Sequence, residues 1–330
     1  MPTTAALNIE ITVPSVRATD RDDQRNDRLF RLGVTACALF VLVALLGAAA
    51  SMLWGAREAF STFGWQFVWS SDWDAVQRKF GALVPIYGTL VTSGIAMIIA
   101  VPVSFGIALF LTEIAPAWMR RPVAAAVELL AGIPSIIYGM WGLFVFVPFM
   151  ADHVNPWLDA HVGPLPVIGP LFQGPPIGLG MLTAGIVLAI MVMPFISSLM
   201  REVFVTVPAQ LKESAYAVGN TTWEVVWDIV LPYTRSAVVG GIFLGLGRAL
   251  GETMAVTFVL GNAHILSASL LEPGNSIAAT IANEFTEADS SVYLSSLIAL
   301  GFLLFVVTFV VLALARLMLN RMALRAGSPS

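Results

Sequence analysis

The sequence predicts an all-α integral membrane protein with six transmembrane helices. Of its 330 residues, 58% are hydrophobic and 12% are charged, which leaves too few charges for a water-exposed surface. Six stretches are almost free of charge over the roughly 20 residues that a helix needs to cross hydrocarbon. One such stretch could be a buried helix of a soluble protein, but six in series exclude that alternative. The predicted spans are residues 32–54, 84–111, 126–150, 178–200, 236–262 and 291–315.

The first predicted span lies too deep in the chain for a cleavable signal sequence, so we expect it to remain as an anchor. The only cysteine, Cys37, lies in this span, which excludes an intrachain disulfide. Before the fourth span, the prolines and glycines between residues 163 and 176 predict a loop.

The distribution of basic residues predicts the orientation, because cytoplasmic loops of membrane proteins are enriched in Lys and Arg. With six spans, both termini lie on one side. That side holds 13 of the 17 Lys and Arg residues, the opposite side holds three, and Arg248 lies inside a span. We therefore predict that both termini are cytoplasmic, in the inner membrane of the cell.

The segment between the fourth and fifth predicted spans, residues 201–235, predicts two short cytoplasmic helices. Pro208 suits a first helical turn, and Gly219 suits the left-handed residue just past a helix end. Thr221 stands three residues before Glu224, the spacing at which each side chain can cap a backbone donor near the other. We expect Pro232 to end the second helix.

Seven positions of this segment resemble the EAA loop of ABC-importer permeases, with Ser214 in place of the usual Ala. In that family the loop forms coupling helices that dock into a cleft of the ATP-hydrolysing subunit. The resemblance implies the same docking role here, with Glu213 making a polar contact across the interface; the alternative is an ordinary amphipathic connector. The matching residues are Glu213, Ser214, Ala215, Gly219, Ile229, Leu231 and Pro232.

The chain itself lacks a phosphate-binding loop for ATP, which needs a lysine followed by Ser or Thr. Its two lysines, Lys79 and Lys212, are followed by Phe80 and Glu213. We therefore expect a transport subunit that is not an enzyme by itself, with no cofactor of its own. ATP and magnesium would be bound by a separate ATPase. The three histidines lack metal-ligand spacing, so we also expect no metal site.

A charged pair lies in the fifth predicted span. An ionised Arg at mid-membrane costs roughly 2.5–3.5 kcal/mol, so we expect Arg248 to face away from lipid. Glu252 follows four residues later and would share a helix face with Arg248, allowing the two charges to neutralise each other. Either the pair fixes helix packing, or the guanidinium faces an aqueous path and offers hydrogen bonds to an oxyanion.

The sequence around this pair, residues 248–256, closely resembles PstC-type permeases of phosphate importers. The resemblance covers about residues 30 to 320, and further matches are residues 131–144, 212–219, 221–227 and 273–277. It implies a type I (MetI-like) ABC importer permease core with an extra N-terminal helix, working by alternating access. It implies as partners a PstA-type permease, two PstB-type ATPase chains and a PstS-type periplasmic phosphate-binding protein. It also implies that Arg248 and Glu252 serve phosphate passage.

These expectations predict a layout of four parts. They are a cytoplasmic tail at 1–30, the first helix with a periplasmic loop at 31–82, the importer transmembrane domain at 83–318, and a second tail at 319–330. Tryptophans 65, 69, 73 and 157 fall on predicted outer loops. They either receive the binding protein or rest at the membrane interface.

Three alternatives remain at the level of sequence. The chain could be a permease for another oxyanion, such as sulfate, molybdate or phosphonate. It could be a channel or secondary transporter without an ATPase. It could also be a membrane-anchored scaffold whose cytoplasmic loop binds an unrelated protein. All of them share membrane lipid as a contact, and none involves nucleic acid.

Overall fold

A computed structural model describes residues 21–325, with side chains described for residues 25–317. Most of the predicted tail at 1–30, including Arg17, therefore lies outside the described residues, as do residues 326–330, and the side chains of Arg321 and Arg325 are not described. Within residues 21–325 the regular structure is helical and contains no β-strand. The predicted fold class, an all-α membrane protein, is confirmed, while the predicted domain boundaries stay a prediction.

Six helices in the described residues are long and apolar enough to cross a membrane, as predicted. The second, fourth and sixth agree with the predicted spans to within five residues at either end, the first begins seven residues earlier than predicted, and the third and fifth are displaced. They are Arg25–Gly55, Leu83–Ile114, Ser135–His161, Met181–Val205, Thr222–Leu250 and Ser291–Leu317.

Short helices and local π-helical turns divide the chain further. The helices are α1 Arg21–Gly55, α2 Arg57–Phe63, α3 Gln66–Trp69, α4 Leu83–Leu109, α5 Ala117–Ala131, α6 Ser135–Trp141, α7 Val147–Phe149, α8 Asn155–His161, α9 Met181–Val205, α10 Ala209–Ala217, α11 Thr222–Val225, α12 Leu231–Leu250, α13 Met254–Leu260, α14 Ile277–Glu284 and α15 Ser291–Arg325. Four π-helical turns continue these helices at Phe110–Ile114, Gly142–Phe146, Met150–Val154 and Val226–Val230.

The chain divides into two compact units, residues 1–51 and 52–330. In the first, the described residues are the part of α1 up to residue 51. The second contains the remaining helices and both hydrophobic clusters. The predicted anchor helix thus belongs to a different unit from the other five spans.

Helix α9 lies at the centre of the larger hydrophobic cluster in the second unit. It packs along α4, and also against α5, α12 and α13. The α4 face that contributes to this cluster carries small residues, Ala96, Ala100 and Ala108, which let the two backbones approach closely. Ser104 Oγ donates a hydrogen bond to the carbonyl of Met193 across the contact, at 3.0 Å. The second and fourth spans are therefore held as a pair.

The third span begins nine residues later than predicted, and this prediction was wrong. Residues 117–131 form the separate helix α5, and α6 begins at Ser135. Pro134 has no backbone N–H and disfavours helical geometry in the residue before it, so the helix breaks at 132–134. The Tyr138 hydroxyl donates to the Leu130 carbonyl across the break, at 3.0 Å. Hydrophobicity continues through these residues, so composition alone did not reveal the break.

On the side predicted to be periplasmic, a polar cluster joins distant parts of the second unit. The carboxylate of Glu284 accepts hydrogen bonds from Trp73 Nε1 at 2.8 Å and from the Tyr293 hydroxyl at 2.6 Å. Its other oxygen lies 2.8 Å from His264 Nε2, and the imidazole stacks on the Trp73 indole. The amide nitrogen of the buried Asn275 lies 3.0 Å from the same imidazole nitrogen. One carboxylate thus connects the first outer loop, the loop before α14 and the start of α15.

The tryptophans of the predicted outer loops fall into two groups. Trp73 belongs to this cluster, whereas Trp65, Trp69 and Trp157 are exposed. The three exposed residues remain available for either predicted role, and Trp73 has a structural role instead.

The environment of Glu284 predicts a pH dependence of stability. Burial raises the pKa of this carboxyl, but hydrogen bonds from His264, Tyr293 and Trp73, together with the charge of His264, outweigh it, so the pKa lies below its ordinary value. A carboxyl whose pKa is lower in the folded state stabilises the fold above its unfolded pKa. This contribution is lost as the pH falls through the folded pKa.

We therefore expect the unfolding midpoint of the detergent-purified protein to fall on acidification below about pH 4.5, the unfolded value for Glu. Glu284→Gln should lower the midpoint at pH 7 and flatten its decline in acid, because Gln does not titrate. The exposed Glu287→Gln should retain the wild-type profile. An acid profile of Glu284→Gln as steep as that of the wild type would contradict this account.

Candidate functional site

The segment between the fourth and fifth spans folds as the predicted helix and turn. Pro208 is the residue that precedes α10, and α10 ends at Ala217. Gly219 has a φ of 94°, in the left-handed region that favours glycine. The chain therefore reverses sharply between α10 and α11.

The predicted reciprocal cap at the start of α11 is present. The Glu224 amide donates to Thr221 Oγ1 at 3.4 Å, and the Glu224 carboxylate accepts from the Thr221 amide at 2.7 Å. Two backbone donors that a helix start leaves without partners are thereby satisfied. This cap fixes the direction in which α11 leaves the turn.

Pro232 does not end the second helix, contrary to prediction. The helix continues from Thr222 through Leu250 and is therefore the fifth span itself. In a regular α-helix the ring of Pro232 would clash with the carbonyl four residues earlier. Here the Leu231 amide donates to the carbonyl of Val226, five residues earlier, in a π-helical turn. This wider turn accommodates the proline and joins the segment between the fourth and fifth spans rigidly to the fifth span.

The seven motif residues separate into an inner and an outer set. Ala215 is buried, and Ile229 is partly buried against the main hydrophobic cluster. Leu231 is also partly buried. The outer set is exposed and consists of Glu213, Ser214, Gly219 and Pro232. The geometry thus leaves the predicted docking residue Glu213 free to contact another protein.

Large apolar side chains surround this outer set. Val218 is 79% exposed and Trp223 is 67% exposed, and Tyr216 and Trp227 are close to half exposed. The Trp223 and Trp227 rings pack edge to face at 5.2 Å. Exposed apolar groups of this size, gathered on one segment, are typical of a protein-binding surface.

The fifth span ends earlier than predicted, and its predicted range of 236–262 was wrong. Helix α12 ends at Leu250, and residues 254–260 form the separate helix α13. Gly251 is a poor helix former, and Glu252 Oε1 accepts a hydrogen bond at 3.2 Å from the Ala255 amide at the start of α13. Arg248 therefore lies in the last turn of α12 rather than near the middle of a long helix.

Arg248 and Glu252 do not share a helix face, and this prediction was also wrong. The helix ends between the two residues, and Glu252 caps α13 instead. Among the described residues, no carboxylate lies within ion-pair distance of Arg248. The guanidinium is exposed on the isolated chain and lies over the Phe195 ring, 5.5 Å from its centroid. The ring face and the negative end of the α12 dipole both stabilise its charge.

Two broken helices meet beside Arg248. Helix α6, which follows the break at 132–134, packs against α13, which follows the break at 251–253. The contact is close at Gly139, where an added Cβ would lie 3.0 Å from Ala255 Cα and from the Met254 carbonyl oxygen. Non-helical backbone at membrane depth is tolerated only inside protein or beside water. The arrangement therefore supplies backbone groups and one cation to a site where the third span begins and the fifth span ends.

Comparison with known proteins identifies the family. Residues 104–324 match the family described as binding-protein-dependent transport system inner membrane component. The chain belongs to this family. It is accordingly a permease component of an inner-membrane transport system with further subunits, and it is not a catalytic subunit.

Curated relatives match over nearly the whole chain. The phosphate transport system permease protein PstC of Xylella fastidiosa (strain 9a5c) is 64% identical over 326 residues, covering 99% of this chain and all of that protein. PstC of Mesorhizobium japonicum is 54% identical, covering 97% and 99%. The probable PstC of the archaeon Methanocaldococcus jannaschii is 38% identical, covering 74% and 76%.

Solved structures support the fold. A bacterial alginate ABC transporter, crystallised with an alginate-bound periplasmic protein, gives a TM-score of 0.60 at 20% identity, covering 91% of this chain and 97% of its own. The inward-facing MetNI methionine ABC transporter gives 0.51 at 16% identity, covering 74% and 95%. The predicted MetI-like permease fold is confirmed.

Sequence reasoning did not find the contacts that join distant residues. Trp73 and Glu284 are 211 positions apart in the chain, and Lys212 and Glu113 are 99 positions apart. The other members of the Glu284 cluster, His264, Asn275 and Tyr293, lie nearer to Glu284 in the sequence. Of these residues, Asn275 lies in the segment 273–277, which resembles PstC-type permeases. Residue type and local spacing carry no information on such contacts.

The contact at Gly139 can be tested by adding one methyl group. We expect Gly139→Ala to destabilise the purified protein by about 1–3 kcal/mol, because α13 must move away from α6. Gly94→Ala is the control, since a Cβ there meets nothing within 4 Å. It should be neutral or slightly stabilising, because Ala favours helix over Gly. Equal unfolding curves for the two variants in detergent would refute the close contact.

Proposed function

We propose that the chain is one permease subunit of an ATP-driven phosphate importer, forming half of a translocation path that opens to one side at a time. One observation carries the proposal. In a chain similar over its length to PstC phosphate permeases, Arg248 lies in the last helical turn before the break at 251–253 and has no carboxylate partner among the described residues.

The chemistry of Arg248 suits a tetrahedral oxyanion. A guanidinium donates two parallel hydrogen bonds, and it keeps its charge at any physiological pH. Phe195 supports the cation through its ring face without neutralising it. An incoming phosphate therefore competes with no carboxylate of the described residues for Arg248.

Glu252 has a different proposed role from the one that the sequence suggested. Its carboxylate caps α13 and thereby holds the break between α12 and α13. We propose that it supports phosphate passage by fixing the end of α12, and with it the position of Arg248. This role is compatible with the importance of the pair that the family resemblance implies.

Import of phosphate requires an energy source. A negative cell interior opposes entry of a dianion by about 4.6 kcal/mol per 100 mV, and an open pore would allow phosphate to leave. Alternating access driven by ATP avoids both difficulties. The chain has no phosphate-binding loop for ATP, so the ATP and magnesium are bound by separate ATPase subunits.

The proposed partners follow from the two faces of the chain. The exposed side chains around Glu213 dock on a PstB-type ATPase, and this face and both termini are cytoplasmic. A PstA-type permease completes the path. A PstS-type phosphate-binding protein delivers the ion to the opposite face, where Trp65 and Trp69 are exposed.

The substrate is tested with the purified complex in proteoliposomes. Phosphate with its binding protein should stimulate ATP hydrolysis and accumulate inside, whereas sulfate and molybdate should do neither. Stimulation by sulfate or molybdate instead of phosphate would assign the chain to another oxyanion.

For the path, we expect Arg248→Gln to assemble normally and to abolish uptake of labelled phosphate, because the cation that attracts the anion is gone. Arg235→Gln is the matched control, an exposed arginine on the same helix. Its uptake should equal that of the wild type. Normal uptake by Arg248→Gln would show that the guanidinium is not part of the path.

For docking, we expect Glu213→Lys to lose the ATPase during purification in mild detergent, because the charge at the interface is reversed. Asp159→Lys makes the same change at an exposed residue on the predicted outer face, and it should retain the ATPase. Co-purification of the ATPase with both variants would exclude Glu213 from the interface.

A further inference from the structure

A partly buried ion pair connects the segment between the fourth and fifth spans, residues 201–235, to the second span. Lys212 Nζ on α10 lies 2.5 Å from Glu113 Oε1, with the two side chains 17% and 7% exposed. In the described chain, the other Arg or Lys ion pairs, Arg201 with Glu128 and Arg31 with Asp27, are considerably more exposed. An ion pair shielded from water is costly to separate, because each charge would remain desolvated without its partner.

The position of Glu113 gives this pair its mechanical significance. Glu113 lies in the π-helical turn Phe110–Ile114 that ends the second span. That span packs along α9 and also contacts α12, the helix that carries Arg248. A displacement of its inner end is therefore transmitted to the elements that position Arg248.

Helix α10 is attached to the start of the fifth span by packing and to the second span through Lys212. It packs mainly against α11 and the π-helical turn that follows, and Ala215 is its only buried side chain. Lys212 is also directly next to Glu213, which is exposed. Successive residues of a helix point about 100° apart, so one faces the protein and the other faces outward. A push on the exposed face reaches the second span through Lys212.

We propose that the Lys212–Glu113 ion pair couples movement of α10 to the second span, so that both residues are positioning residues for transport. This inference rests on the proposed function. It requires the pair to remain together while α10 and the inner end of the second span move as one body. Without the pair, the ATPase would move α10 and α11 while the second span lagged behind.

The test measures phosphate uptake and ATP hydrolysis in the same proteoliposomes, using the complex with its ATPase and binding protein. In Lys212→Met and in Glu113→Gln, we expect the phosphate imported per ATP hydrolysed to fall about tenfold, the scale of a typical coupling free energy. ATP hydrolysis should continue. The exchange of charges, Lys212→Glu with Glu113→Lys, should restore much of the ratio, and Glu128→Gln, which breaks the more exposed pair, should leave it unchanged.

A covalent link provides a second measurement that does not depend on burying a single charge. Cysteines replace Lys212 and Glu113 in a Cys37→Ala background, since Cys37 is the only native cysteine. A short thiol-reactive linker between them should restore the import ratio that the unlinked variant lacks. If the link instead stops import, the two elements move apart during transport and the proposal is wrong.

The remaining outcomes separate this inference from the proposed function. If the wild type imports phosphate and both single variants keep its ratio of import to hydrolysis, the inference fails alone. If uptake and hydrolysis fall together, and neither the charge exchange nor the linker restores them, the pair is purely structural. That outcome also overturns the inference. If the wild-type complex hydrolyses ATP but imports no phosphate, the proposed function itself fails.

Discussion

The requirement that backbone polar groups find partners away from water governs this fold. In hydrocarbon an unpaired N–H or C=O costs several kcal/mol, so the chain crosses the membrane only as helices. Each interruption of a helix must therefore be supported by protein or water. The breaks at 132–134 and 251–253 are supported in this way, by the Tyr138 hydroxyl in one case and by the Glu252 carboxylate in the other. The helices that follow these two supported breaks, α6 and α13, pack against each other next to the end of α12, where Arg248 lies.

The same requirement explains how the cytoplasmic segment is joined to the membrane. A proline inside a helix normally kinks or breaks the helix. Pro232 instead follows a π-helical turn, and the helix continues into the fifth span. The reciprocal cap of Thr221 and Glu224 fixes the other end of this helix. The segment is consequently a rigid extension of the span that carries Arg248. A flexible connector would lose the displacement that a rigid one transmits.

Charged groups within the protein are placed according to their surroundings. Glu284 is shielded and has several hydrogen-bond donors, so it holds three segments of the chain together. Glu113 is shielded and has one cationic partner, which ties one helix to another. Arg248 has an aromatic ring and a helix end but no carboxylate partner among the described residues. The difference between a structural charge and an available one lies in these partners.

The sequence by itself determined the number of spans, the turn at Gly219 and the cap at Thr221, because each depends on composition or on residues a few positions apart. Only the tertiary structure decided where the third and fifth spans are interrupted, since apolar stretches lie on both sides of each break. It also decided that Glu252 caps a helix instead of pairing with Arg248. Pairing between residues far apart in the chain, as for Lys212 and Glu113, depends on how helices pack, and local spacing contains no record of it.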